Sequence, residues 1–575
     1  MNTEERTKAI LSLSQSYLLP LRVLFKTLKG IISRAAYGTL LPDEAGRLTN
    51  SAHAAIGYTG AVLDRERPKA ADIWKPDFLD VDDLASSKGL ADGASLELSC
   101  DVVIVGSGAG GGVVAAELAT AGYSVLVLDK GTFTHAPDLP LTELESADLL
   151  YEQRGLLQSD SGSIFIFAGS VFGGGTYINW SGSLRLPQTV REEWAQKWNL
   201  PLFTSAAYNE SLDKIEARLG ISDARIVHNQ PNSILLEGAK KLGYPASAIP
   251  QNTGTHEHSC GHCGMGCPFG EKQGTSVTYL HDAARHGAAF VEGCFVERIT
   301  HENGVATGVT ARAGSNKRPL TIRAKRVVCS AGSLSTPPLL QRSGLRNPHI
   351  GKHLKVHPVG LVFGVFPDRL IQPFKGSIMT VVCNAVADIS GTGYGPLLEI
   401  PYMHPSLYSM ILPFRSRQDH KRLMTMFDRV VPIIVLLREE DTEGDVWQDE
   451  ANLLRVNYEI KSRDLDRIAK GMEVATEILV AAGADEIFTP QQDLKAFNVG
   501  GGGEAVLETE AYKEFVEEMK RQKWHVPLFC AHQMGSARMS GDKGKGVCNA
   551  EGETWEVKGL WVADTSLFPT ASGVK

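Results

Sequence analysis

Apolar positions at two different spacings divide the chain. Near the start, Leu21, Leu24, Phe25, Leu28 and Ile32 recur at helical spacing, and Arg22, Lys26, Lys29 and Ser33 fall opposite them. That pattern predicts an amphipathic helix. From Leu98 the texture changes. Cys100 to Val105 is an apolar, β-branched run, a glycine cluster follows, Val113 to Ala121 has helical spacing, and Tyr123 to Leu128 is apolar again. Strand, turn, helix and strand in that order open a parallel α/β unit. Val327 to Ser330 reads as a further short strand, and residues 186–280 are mixed and loop-rich. Residues 355–460 alternate apolar and polar positions over several runs, with Ile411 to Phe414 and Val430 to Leu437 as apolar strands. Such alternation predicts an antiparallel sheet. Leu465, Ile468, Met472, Ala475, Ile478 and Leu479 form one face of a helix over Asp464 to Ala482, with Gly483 as its C-cap.

Composition then removes some classes of function. A length of 575 residues is room for roughly three or four domain-sized units. The formal net charge of −8 leaves no basic footprint for a nucleic acid. The N-terminus lacks the basic–apolar–cleavage layout of a secretory signal, and the nine cysteines are an odd number. Reduced thiols and an intracellular setting, cytoplasmic or peripherally membrane-associated, are therefore expected. No run reaches the ~18 apolar residues that span a bilayer. Val430 to Leu437, the nearest, is eight residues long and contains Pro432. Between Thr7 and Pro42 there are five basic residues and no acidic one. The helix there either packs its apolar face on the main body or lies on an anionic membrane surface.

The glycine cluster carries the first chemistry. Gly106, Gly108 and Gly111 have G-x-G-x-x-G spacing between the first strand and its helix. In that pattern the first glycine permits a tight turn, the second lets backbone approach a pyrophosphate, and the third lets helix and strand pack closely. The helix N-terminus offers unpaired N–H groups to the phosphates. Asp129 ends the second strand, 23 residues after Gly106, where a carboxylate accepts from a ribose diol. The alternative is a glycine-rich turn closing a purely structural unit. The loop alone does not separate NAD from FAD.

Three later segments do. Gly169-Ser-Val-Phe-Gly173-Gly174-Gly175-Thr-Tyr-Ile-Asn179, Ala331-Gly-Ser-Leu-Ser-Thr336-Pro337, and His532-Gln-Met-Gly535 with Gly559-Leu-Trp-Val-Ala-Asp564 resemble the glucose–methanol–choline (GMC) oxidoreductases. With the dinucleotide loop they cover roughly residues 100–574 in family order. Within the family, Cys260-Gly-His-Cys263-Gly-Met-Gly-Cys267 and the following Gln273-Gly-Thr275 are similar to long-chain fatty alcohol oxidases. The resemblance implies an α/β fold (α+β overall): a Rossmann-like FAD-binding domain with a parallel sheet, from residues 96–185, 281–345 and 530–575. It implies a cap region with the Cys-rich loop over 186–280, a substrate domain with an antiparallel sheet over 346–529, and a helical extension over 1–95. It implies FAD as cofactor, with Gly173, Gly174, Gly175, Asn179 and Asp564 along it and the Val296 backbone at the adenine.

The same resemblance assigns the reaction. An alcohol is a poor hydride donor until its hydroxyl proton leaves, and a neutral imidazole suits that proton at pH 7. His532 matches the family's active-site histidine. The implied substrate is a long-chain primary alcohol, with dioxygen or another electron acceptor reoxidising the flavin. A sugar or sterol dehydrogenase using a quinone or haem partner is the enzymatic alternative. The family usually continues Ser-Gly-Val-Asn-Pro into a helix that stabilises charge at flavin N1, whereas this chain reads Ser572-Gly573-Val574-Lys575. Lys575 stands where the family has Asn or a second His, so weak FAD binding and impaired turnover are expected of a chain with this end. Cys260, Cys263 and Cys267, with His258 and His262 near them, either hold a metal or cluster or are buried and inert. His353 and His357 are read as structural or solvated.

Overall fold

The computed structural model describes residues 3–60, 63 and 65–574, so Lys575 lies outside the described residues. The chain opens with helices α1 (Thr3–Ser14) and α2 (Leu19–Gly38). α2 forms where it was expected but is turned over. Only Phe25 of its expected apolar stripe is buried, while Leu24, Leu28, Ile31 and Ile32 point outward. Lys29 instead reaches inward and donates to the Leu412 carbonyl.

The first sheet is the parallel unit. It contains β1 (Leu96–Val105), β2 (Val125–Leu128), β3 (Ala289–Val291), β4 (Phe295–Glu302), β5 (Val305–Ala313) and β6 (Arg318–Cys329). Helix α3 (Ala109–Thr120) joins β1 to β2. The order is β3-β2-β1-β6-β5-β4, and a last strand, Leu560–Val562, pairs parallel with the end of β6. β3, β2, β1 and β6 run parallel, and β6, β5 and β4 form an antiparallel meander. β1 and β2 read as continuous apolar runs because helices cover both faces of such a sheet. Helix α4 (Thr336–Arg342) follows β6.

The second sheet roofs the first. Its centre is β7 (Val359–Val365) paired antiparallel with β8 (Val430–Leu437). Every residue of both strands is buried, because each face has its own partner. Val362 of β7 and Val431, Ile433 and Val435 of β8 join the core under helix α6 (Ser462–Ala481), while Leu361, Phe363, Ile434 and Leu436 face the other way. α6 packs through the predicted residues Leu465, Ile468, Met472, Ala475, Ile478 and Leu479. It lies close because a methyl at Gly360 or Gly364 would come 3.0 Å from Ile468 Cγ2 or Leu479 Cδ2.

One expectation needs correction. Residues 411–414 are not a strand. Helix α5 (Pro405–Ile411) ends there, and its start is held by Glu143, whose carboxylate accepts from the Ser406 and Leu407 N–H groups at 2.8 and 3.0 Å. Four apolar residues carry no period, and the cap comes from Glu143, 263 residues upstream of Ser406, so the run is unreadable in isolation. The strand Ile164–Ile166, inside the first FAD segment, pairs with Leu528–Cys530 and joins the second sheet.

Candidate active site

The two glycine loops meet. A methyl at Gly174 would lie 3.0 Å from Gly108 Cα, and the Gly173 N–H donates to Ser107 Oγ at 2.7 Å. Ser107 passes the link on, donating to Asp129 from its N–H (2.8 Å) and its hydroxyl (2.5 Å). Asp129 also accepts from the Gly131 N–H at 2.8 Å. Burial raises its pKa and these donors oppose the rise. Asp129 is thus the anchor of the loop as well as a carboxylate facing the groove.

One cavity of ≈ 1480 Å³ runs along this junction. Gly106, Gly108, Asp129, Gly174, Gly175, Asn179, Val296, His532 and Asp564 all line it. Gly111 and Gly173 stand behind the wall. A methyl at Gly111 would come 1.9 Å from the Gly106 carbonyl oxygen, which is the close helix–strand packing expected of the third glycine. Asp564 turns its carboxylate onto protein donors: Gly332 N–H (2.8 Å), Thr336 hydroxyl (2.6 Å) and Ser566 N–H (2.8 Å). It ties the C-terminal strand to the start of α4.

The cavity walls suit a flat dinucleotide. Methyls at Gly108 and Gly175 would meet nothing within 4 Å, so bare backbone faces the cavity from both loops. The N-terminus of α3 opens at Gly108 and favours negative charge. At the other end the wall is apolar: Leu361, Ile434 and Leu436 come from the roof, and Leu407, Met410 and Ile411 from α5.

His532 lies at this apolar end, two residues beyond the strand Leu528–Cys530. Its loop is pinned to residues 353–357. Met534 and Lys355 exchange backbone hydrogen bonds at 2.9 Å, and a methyl at Gly535 would strike the His353 carbonyl oxygen at 2.6 Å. The pinning sets His357 edge-on to His532, with ring centroids 5.4 Å apart. His357 Nε2 accepts from the Gly573 N–H at 2.9 Å, so the proton of the neutral ring sits on Nδ1. Its own N–H donates to buried Glu439, and burial pushes that carboxyl up to about 7. His357 was expected to be structural or solvated. It is fully buried beside the candidate base, a placement its sequence spacing does not signal. His353 pairs with Glu443 at 2.7 Å.

Behind Asn179 lies a second unforeseen group. Lys272 is buried and donates to the Asn179 carbonyl at 2.7 Å. Among the described residues no three His, Cys, Asp or Glu side chains gather to hold a metal ion.

Glycine backbone on both walls, a helix N-terminus, a buried carboxylate and a distant imidazole fit FAD, and the class so defined is a flavin-dependent oxidoreductase. The chain belongs to the GMC oxidoreductase family, whose N- and C-terminal models match residues 147–359 and 441–575. It is 35% identical to long-chain-alcohol oxidase FAO4A of Arabidopsis thaliana over 99% of this chain and 83% of that protein. It is 35% identical to FAO3 of the same plant over 84% of this chain and 66% of that protein. Among solved structures, formate oxidase of Aspergillus oryzae superposes with a TM-score of 0.62 at 17% identity, over 84% of this chain and 96% of that one. Pyridoxine 4-oxidase gives 0.61 at 18% identity, over 82% and 95%.

Proposed function

We propose that the protein oxidises long-chain primary alcohols to aldehydes. The observation that carries this reading is that one cavity is lined by the glycine loops, by His532 and by apolar residues of the second sheet and α5. The named relatives support it. Gly106, Gly108, Gly174 and Gly175 would hold the pyrophosphate and flavin by backbone approach, Asp129 the ribose, and the Val296 backbone the adenine. Asn179 would lie on the flavin side of the cavity, and Asp564 holds the C-terminal strand to the start of α4. FAD would supply the hydride acceptor, and an oxidase of this kind would release hydrogen peroxide. His532 accepts the hydroxyl proton of the substrate. His357 holds the C-terminal loop and the edge of the His532 ring. Leu361, Ile434, Leu436 and Met410 take the alkyl chain, each buried CH2 adding about 0.8 kcal/mol. Under anaerobic conditions dodecanol bleaches the flavin absorption bands within seconds and glucose leaves them unchanged. Bleaching by glucose and not by dodecanol ends this reading.

The outward face of α2 adds a membrane contact. Leu24, Leu28, Ile31 and Ile32 are 43%, 43%, 46% and 62% exposed, on a segment with no acidic residue. Patches of this kind mark a partner or membrane surface. α2 packs on α5, Gly30 against Met410, and α5 walls the cavity, so the contact lies near the route of an apolar substrate. No helix among the described residues is long and apolar enough to cross a membrane, which makes the contact peripheral. The double substitution Leu28→Glu and Ile32→Glu weakens co-sedimentation with anionic vesicles by about 10-fold or more. Equal binding of parent and variant excludes this surface.

A further inference from the structure

A thiol, an imidazole and an ammonium meet behind the Asn179 wall. His258 Nε2 is 3.1 Å from Cys263 Sγ, and Ser181 Oγ is 3.7 Å from the same sulfur. Lys272 Nζ donates to the carbonyls of Cys263 (3.2 Å) and Asn179 (2.7 Å). Cys263, His258 and Lys272 are all buried. Two buried cations without an anion are costly, and a thiolate supplies the charge that offsets them. Burial opposes ionisation of Cys263, but His258 and Lys272 outweigh it and bring the thiol below its ordinary range. Cys260 is the opposite case: burial and the Cys263 charge push its thiol well up.

A tight turn joins the two cysteine residues. Cys260-Gly261-His262-Cys263 has C-x-x-C spacing, and Gly261 is at φ +74 with no room for a methyl, which would strike the Phe374 carbonyl oxygen at 2.3 Å. A thiolate three residues from a protonated thiol, with two residues between, is the arrangement of dithiol redox sites. Two openings lie next to the site. A recess of ≈ 10 Å³ opens onto His258, about one water in size, and Gly264 and Met265, next to Cys263, line the main cavity.

We propose that Cys260 and Cys263 form a second redox site, a dithiol that hydrogen peroxide oxidises to a disulfide, and that this oxidation slows alcohol turnover. The Cys263 thiolate attacks one peroxide oxygen, the O–O bond breaks, and the leaving hydroxide takes the proton of the His258 imidazolium to become water. Cys260 sulfur then attacks the sulfenic acid so formed. Its thiol proton and the departing hydroxide make a second water. Two sulfurs are oxidised by one electron each and two peroxide oxygens are reduced by one each. The site loses its anion, so Lys272 no longer has the charge that holds it on the Asn179 carbonyl, and the cofactor wall shifts. This regulatory role rests on the proposed oxidase activity as the source of peroxide.

The test adds hydrogen peroxide directly to the holoenzyme, so it does not depend on that source. Differential alkylation and peptide mass spectrometry follow the thiols, and anaerobic dodecanol oxidation with a dye acceptor follows the rate. The expected result is a Cys260–Cys263 disulfide peptide, a rate at least about 5-fold lower, and recovery of both with dithiothreitol. C260S stops at a Cys263 sulfenic acid that dimedone traps, and C263S loses the response relative to its own untreated rate. Absence of the disulfide peptide, a disulfide with unchanged rate, or equal inactivation of parent and C260S without Cys263 labelling each overturns the proposal. A holoenzyme that forms the disulfide but never oxidises dodecanol refutes the assigned substrate and the rate effect, and leaves the dithiol site standing.

Discussion

His532→Ala lowers the rate of dodecanol oxidation by about 1000-fold, in the middle of the range for loss of a general base. The reason is geometric. His532 lines the cavity together with the glycine loops and the apolar wall, and among the described residues no other imidazole lines it. Its neighbour His357 cannot stand in, because His357 Nε2 is occupied by the Gly573 N–H. The loss falls on kcat and kcat/KM together, since the proton is transferred only as the hydride leaves. Stability changes little, because His532 is half-buried and its removal widens an existing cavity. Flavin content and the thermal midpoint therefore match the parent. A loss below ten-fold in a protein with full flavin content removes His532 from the reaction.

Gly108→Val and Gly110→Ala have opposite effects although the residues are two apart. A methyl at Gly110 lies 1.6 Å from the Ala563 carbonyl oxygen, an overlap that α3 relieves only by leaving β1 and the C-terminal strand. Overpacking of this kind costs ~3 kcal/mol or more, and Gly110→Ala is expected in the insoluble fraction. A methyl at Gly108 meets nothing within 4 Å, and the backbone there has φ −63, open to any residue. Gly108→Val thus folds, and its apo form melts with parent apoprotein. Its side chain fills the space where the pyrophosphate approaches, so FAD affinity falls at least ~100-fold, or about 2.7 kcal/mol. The flavin-to-protein absorbance ratio checks the second effect and apoprotein melting the first. Stoichiometric flavin in Gly108→Val contradicts this placement of the cofactor.

The contrast between these glycines explains why so much of the groove could be read early. Gly106, Gly108 and Gly111 are demanded by a turn, a ligand approach and a helix–strand contact that lie within a dozen residues. Such requirements are local and leave a spaced pattern in the chain. The α6 stripe was legible for the same reason, since one helix face meets one sheet face. His357 was not legible. It reaches His532 only because Lys355 pairs with Met534, a contact across 179 positions. Lys272 behind Asn179 is a similar case. A lysine in a glycine-rich loop reads as solvated, and only the packed loop buries it among carbonyls and sulfurs.

Helix α2 marks the boundary between the two kinds of information. The period of Leu21, Leu24, Phe25, Leu28 and Ile32 determined that a helix forms, because backbone hydrogen bonding and side-chain spacing are set by neighbours in the chain. Which face it buries was decided by α5, whose contact at Gly30 and Met410 and whose Leu412 carbonyl draws Lys29 inward. By itself, then, the sequence determined most of the elements and the tight glycine turn between β1 and α3. The tertiary structure alone decided which side chains surround His532, which thiol has an imidazole beside it and which face of α2 is left to solvent, because burial and pairing depend on atoms that are distant along the chain.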